Sequence, residues 1–89
     1  MALEKDLDTE IGRKFKGILL KQLEGAGLKE SYIKIDSEWR SLDADYIDLL
    51  EMRGRVEEVY GIEVINEEAD KILTVGQAID YITAKYNSK

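Results

Sequence analysis

Residues 42–82 read LDADYIDLLEMRGRVEEVYGIEVINEEADKILTVGQAIDYI, and this stretch decides the fold. Asp45 stands where a helix N-cap is wanted, and Asp48 falls in the following turn, where the positive end of the helix dipole favours negative charge. The spacing predicts a helix over 46–60, stopped by Gly61. Ile62 and Val64 lead to Asn66, read as the N-cap of an acidic helix over 67–71 that is too short to hold without tertiary contacts. Thr74 followed by Gln77 forms a capping box, and Val75, Ala78, Ile79, Ile82 and Tyr86 recur at helical intervals, which predicts a last helix over 75–86.

Upstream, Leu3, Leu7, Ile11, Phe15, Ile18, Leu19 and Leu23 recur every three or four residues among Lys, Glu and Asp, the pattern of an amphipathic helix over 3–23. Gly25 and Gly27 end it. Residues 25–44 carry no sustained period, yet Leu28, Tyr32, Ile33, Ile35, Trp39 and Leu42 are apolar enough to pin a long loop onto a core. The expected architecture is all-α: helix, long loop, helix, short helix, helix, with no strand pair and with residues 1–89 forming one monomeric domain.

Composition narrows the function. Eighty-nine residues with 44% hydrophobic content support one modest core and no separate catalytic lobe. The chain has no Cys and no His, which removes thiol nucleophiles, thiolate and imidazole metal ligands and the commonest general base. We therefore expect no catalytic residues, no metal site and no enzymatic activity. Without cysteine the fold rests on packing alone, which suits a cytoplasmic location. A net charge of -6 argues against nucleic acid and for basic protein surfaces as partners. No stretch approaches the roughly 18 apolar residues of a membrane span.

The quoted stretch resembles the acyl carrier protein family without gaps. In that family a leucine followed by Gly-Ala-Asp-Ser-Leu-Asp opens the second helix; here the same register holds Leu42, Asp43, Ala44, Asp45, Tyr46, Ile47 and Asp48. Val56, Glu57, Glu58, Val59 and Tyr60 look like the family's Leu-Glu-Glu-Glu-Phe, and residues 67–82 follow its last third almost letter for letter. The resemblance implies a four-helix acyl-carrier-like bundle of fatty-acid or polyketide metabolism, docked by partner enzymes. In the family a serine bears a 4'-phosphopantetheine arm that carries the acyl thioester. Tyr46 occupies that position here, so we expect a carrier-like binding module without the covalent cofactor.

The alternative is a working carrier whose arm sits on Ser41, or on a serine that Tyr46 replaces. Ser41, Leu42 and Asp43 do read like the family's Ser-Leu-Asp. Using that register demands five extra residues in the second helix, which turns every downstream side chain by about 140°.

Asp45, Asp48, Glu51, Arg55 and Glu58 are the expected partner-docking face, the last four sharing one side of the helix, with Arg55 breaking an otherwise acidic stripe by pairing with Glu51 or Glu58. Leu50, Arg53, Gly54, Val56 and Tyr60 are the expected lining of the groove that would take an acyl chain. Arg53 replaces an aliphatic residue of the family pattern, is expected to pair with Glu57, and would constrict or polarise that groove. Gly54 replaces a larger apolar residue and would admit Tyr46, a partner's side chain or a loop ring such as Trp39 or Tyr32.

Overall fold

The computed structural model describes residues 7 and 9–88, and over them the chain is all-helical. Helix α1 spans Glu10–Leu23, α2 Tyr46–Tyr60, α3 Asn66–Ala69 and α4 Val75–Asn87. Among the described residues the only ladder contact is an isolated antiparallel bridge between Glu38 and Thr74.

The caps explain where the helices start. Before α2, the Asp45 carboxylate accepts from the Asp48 N–H at 2.8 Å, and the Asp48 carboxylate accepts from the Asp45 N–H at 3.3 Å. This reciprocal box satisfies two of the donors that a helix start leaves without partners. Thr74 and Gln77 repeat it ahead of α4, where the hydroxyl accepts from the Gln77 N–H at 3.2 Å and the Gln77 side chain accepts from the Thr74 N–H at 3.3 Å. Gly61 closes α2 in the left-handed conformation, φ 65°, with its N–H donating to the Glu57 carbonyl at 2.9 Å.

Four boundaries differ from the sequence expectation. The first helix starts at Glu10, because Thr9 adopts extended backbone and its hydroxyl accepts from the Gly12 N–H at 3.0 Å. Leu7 precedes that start and packs half-buried against the core, while residue 3, the expected start, lies outside the described residues. Asn66 does not cap α3 but is its first residue, after Ile65 in the cap position. The short helix closes at Ala69, since the N–H groups of Lys71 and Ile72 turn back to the carbonyls of Glu68 and Ala69, three residues earlier. Helix α4 extends one residue past the expected 86, to Asn87.

The long connection between α1 and α2 is ordered as three short 3₁₀ turns, at Glu24–Ala26, Glu30–Tyr32 and Trp39–Leu42. Its backbone is strapped to the start of α4: Val75 N–H donates to Ser37 carbonyl at 2.9 Å, and Gly76 N–H donates to Ile35 carbonyl at 2.8 Å. Trp39 completes the strap, its indole N–H donating to the Ile72 carbonyl at 2.9 Å. Its ring, 9% exposed, meets Phe15 edge-on at 6.3 Å. Phe15, Leu19 and Leu23 of α1, Met52 and Val56 of α2, and Val75, Ile79 and Ile82 of α4 build the centre of the core.

Tyr60 ties the end of α2 to the start of α1. Its ring is 4% exposed and its hydroxyl donates to the Ile11 carbonyl at 2.8 Å. Burial pushes the phenol up to about 12 from its ordinary 10.0. The folded chain thus holds this proton more tightly than the unfolded one, so its contribution is intact below about pH 10 and is lost as pH rises toward about 12. Urea unfolding of the parent between pH 9 and 12, compared with Tyr60→Phe, reads this out. The variant should be less stable by about 1 kcal/mol at neutral pH and should show a shallower alkaline decline. Equal slopes would remove Tyr60 from the alkaline transition.

Candidate functional site

Helix α2 begins at Tyr46, which puts a phenol on the first turn of a capped helix. The ring is 65% exposed. Three carboxylates surround this turn in sequence. Asp45 and Asp48 are held in the capping box, and Asp43 occupies the left-handed region at φ 58°, a conformation that Asp tolerates better than most side chains. Ser41 lies in the preceding 3₁₀ turn, exposed, with its N–H donating to the Glu38 carbonyl at 3.0 Å. It does not sit at a helix start.

Beside Tyr46 a cavity of about 260 Å³ opens between α2, α3 and α4. Phe15, Trp39, Met52, Val56, Ile72 and Ile82 form its apolar walls, and Tyr46, Asp70 and Leu73, all exposed, mark its mouth. An engineered apolar cavity of roughly 150 Å³ admits benzene, so this space is large enough for a small apolar guest.

Of the five groove residues expected from sequence, Arg53 and Val56 line this cavity and the other three do not. Leu50 is 40% exposed on the outer side of α2, and Tyr60 lines a second cavity at the far end of α1 with Ile11 and Tyr86. Gly54 faces open space, with no atom within 4 Å of where a Cβ would stand. Trp39 is in the core and Tyr32 is 53% exposed, so neither fills a gap at Gly54. Leu49 and Met52, half-buried and buried, take the inward positions instead. Because Gly54 has a free, helical and exposed position, Gly54→Ala should stabilise the domain by about 1 kcal/mol. For a domain this size that is a rise of roughly 4–8 °C in Tm, measurable by circular dichroism. An unchanged or lower Tm would mean that the glycine is needed for a contact.

Arg53 does not pair with Glu57. Its guanidinium donates to Asp70 at 3.0 Å and to Asn66 at 3.3 Å, reaching across from α2 to α3. Glu57 instead accepts from the backbone N–H of Val64 at 2.9 Å, which satisfies a donor in the α2–α3 connection. The opposite flank of α3 is held by α4. Tyr81 donates to the Glu68 carboxylate at 2.6 Å and accepts from the Ile65 N–H at 3.2 Å, while the Lys85 ammonium lies 3.3 Å from the same carboxylate. The Tyr81 and Lys85 contacts hold the Glu68 carboxyl below its usual range, and burial together with Glu68 raises the Tyr81 phenol. A helix of four residues is thus fastened by polar side chains on both sides.

On the expected docking face, Asp45, Glu51, Arg55 and Glu58 are exposed and Asp48 is half-buried. Arg55 reaches Glu51 through Gln22 of α1 rather than directly along α2: its Nε donates to the Gln22 oxygen at 3.1 Å, and the Gln22 nitrogen donates to Glu51 at 2.8 Å. The guanidinium is thereby drawn toward α1. No candidate membrane span occurs among the described residues, no helix being long and apolar enough.

The exposed apolar side chains Ile47, 65% exposed, and Leu73, 60% exposed, were not among the candidate site residues. Ile47 follows Tyr46 directly, and Leu73 lines the cavity mouth.

Comparison with protein-family models gives no match. Over 57 residues, 63% of this chain, the sequence is 42% identical to a curated protein of Rubrobacter xylanophilus named acyl carrier protein, and the match covers 70% of that relative.

Proposed function

The chain belongs to the acyl carrier protein family, and from that premise we propose that it is a carrier-like binding module that docks to enzymes of acyl metabolism without a covalent phosphopantetheine arm. The family's members are carriers and not catalysts. The observation that carries the reading is Tyr46 on the first turn of α2, in the register where the family has its serine.

The residues present do not fit the arm. A phosphodiester to this group is made through an aliphatic hydroxyl close to the backbone, whereas the Tyr46 phenol stands a full ring further out. Asp43, which stands where the family has a glycine, adds one negative charge beside the helix start. The remaining docking surface supports partner binding: exposed acidic side chains at Asp45, Glu51 and Glu58 suit a basic enzyme surface, and exposed Tyr46 and Ile47 add apolar area to it. On this reading the protein acts as a cytoplasmic monomer of one domain, in fatty-acid or polyketide-type metabolism.

The test is the intact mass of the purified chain before and after a broad-specificity phosphopantetheinyl transferase with coenzyme A. The expected mass is that of the sequence alone in both samples. An arm on Tyr46 or Ser41 would make the protein an ordinary carrier and overturn the reading.

A further inference from the structure

A glycine inside a helix is less favourable than an alanine, and it is kept where the backbone turns left-handed or where another group must come close. Neither applies to Gly54 within this chain. It lies in the regular helix α2, outside the left-handed residues, and among the described residues no atom comes within 4 Å of where its Cβ would stand. Its two neighbours in sequence are arginines whose guanidinium groups are drawn to opposite sides, Arg53 to Asp70 and Asn66 at α3 and Arg55 to Gln22 of α1. The outer face of α2 is left bare between them. Ile47, Leu50 and Glu58 share that face with Gly54 at helical spacing, Glu51 flanks it, and all of them are exposed. The missing side chain is thus a recess bordered by apolar residues toward the start of α2 and by carboxylates beside and beyond it.

We infer that the recess at Gly54 receives a bulky apolar side chain from a basic helix of a partner protein, which crosses α2 at this point with its lysines or arginines against Glu51 and Glu58. Without a Cβ at the crossing, a ring can reach the α2 backbone, and Ile47 and Leu50 supply apolar area beside it. Charge decides the kind of occupant. A second copy of this chain would bring a net charge of -6 and the same carboxylates to the face, whereas a basic helix complements it. The inference rests on the docking half of the reading above and not on the missing arm. It also gives that docking a shape: the resemblance puts a larger apolar residue at this position, a protrusion where this chain has a recess, and the two shapes select different partners.

The probes are two fluorescein-labelled helical peptides of alanine and lysine, one with phenylalanine at its centre and one with alanine there, and binding to the full chain is followed by anisotropy at low salt. The phenylalanine peptide should bind about tenfold tighter, the worth of one ring largely removed from water. Backbone amide shifts on its addition should centre on Ile47, Leu50, Gly54 and Glu58. Gly54→Leu and Gly54→Gln both fill the recess, the first adding apolar area and the second none. Both replace glycine by a better helix former, so α2 stays folded, and in both the preference for phenylalanine should vanish. A preference that survives in either variant, equal binding of the two peptides by the parent, or shifts centred on Tyr46 and Leu73 at the cavity mouth would each overturn the proposal. If neither peptide binds, the acidic docking face falls together with it, whereas an arm found by intact mass overturns the reading without an arm and leaves the peptide result standing.

Discussion

Tyr46→Ser is expected to convert a chain that a phosphopantetheinyl transferase leaves untouched into one that it modifies, the largest functional change that a single substitution can make here. The local frame is already set. Asp45 caps α2 and Asp48 closes the reciprocal box, at 2.8 and 3.3 Å, so the residue between them and Ile47 sits on a fixed first turn. A serine at position 46 would place its hydroxyl near the free N–H groups of that turn, where a helix favours an anion. The box involves only residues 45 and 48, so the substitution leaves it intact. Intact-mass analysis after incubation with coenzyme A should show the arm on the variant and none on the parent. If Tyr46→Ser also stays unmodified, the block lies in the face presented to the transferase. Arg55, drawn toward Gln22, and Gly54 are then the residues to restore next.

What the sequence made legible is what neighbouring residues decide among themselves. The starts of α2 and α4 are each fixed by two residues three apart, and Gly61 fixes the end of α2, so all three could be read from the string. The start of α1 could not, because Leu3 and Leu7 continue the apolar spacing straight through Thr9 and hide the cap beneath a valid helical period. Asn66 and Arg53 failed for a different reason. Asn66 is a good N-cap by type, but its side chain is engaged by Arg53, thirteen residues away. Glu57 is the natural partner of Arg53 at i,i+4, but it is taken by the Val64 N–H, and Asp70 replaces it from seventeen residues away. A helical wheel ranks partners along one helix only. The groove suffered likewise: Leu50 and Tyr60 are apolar, but only packing against α1, α3 and α4 shows that Met52 and Val56 face the space between them. The left-handed conformation of Asp43, φ 58°, was not read from the sequence, because Asp adopts extended and helical backbone as well and its type alone does not mark the turn.

Phe15→Ala should bring the largest loss of stability and should alter the cavity at the same time. The ring is 2% exposed, lies edge-on to Trp39 at 6.3 Å and 67°, and lines the cavity floor. Removing a buried Phe costs about 3–5 kcal/mol through lost burial and the void left behind. A domain of this size has on the order of 4–13 kcal/mol in total, so the variant should lose roughly a quarter or more of its stability. The expected fall in Tm is roughly 12–40 °C, which follows from about 4–8 °C per kcal/mol. Leu19→Ala separates the two effects. Leu19 is 0% exposed and does not line the cavity, so its truncation should cost about 2–5 kcal/mol while leaving the guest space unchanged. Thermal and urea unfolding followed by circular dichroism compare the two variants, and titration with small apolar guests below the transition compares their cavities. Phe15→Ala should admit larger guests than the parent and Leu19→Ala should not. A Phe15→Ala variant as stable as the parent would mean that Trp39 and Met52 collapse into the space, and then no larger guest would be admitted, because the same collapse that rescues stability closes the cavity.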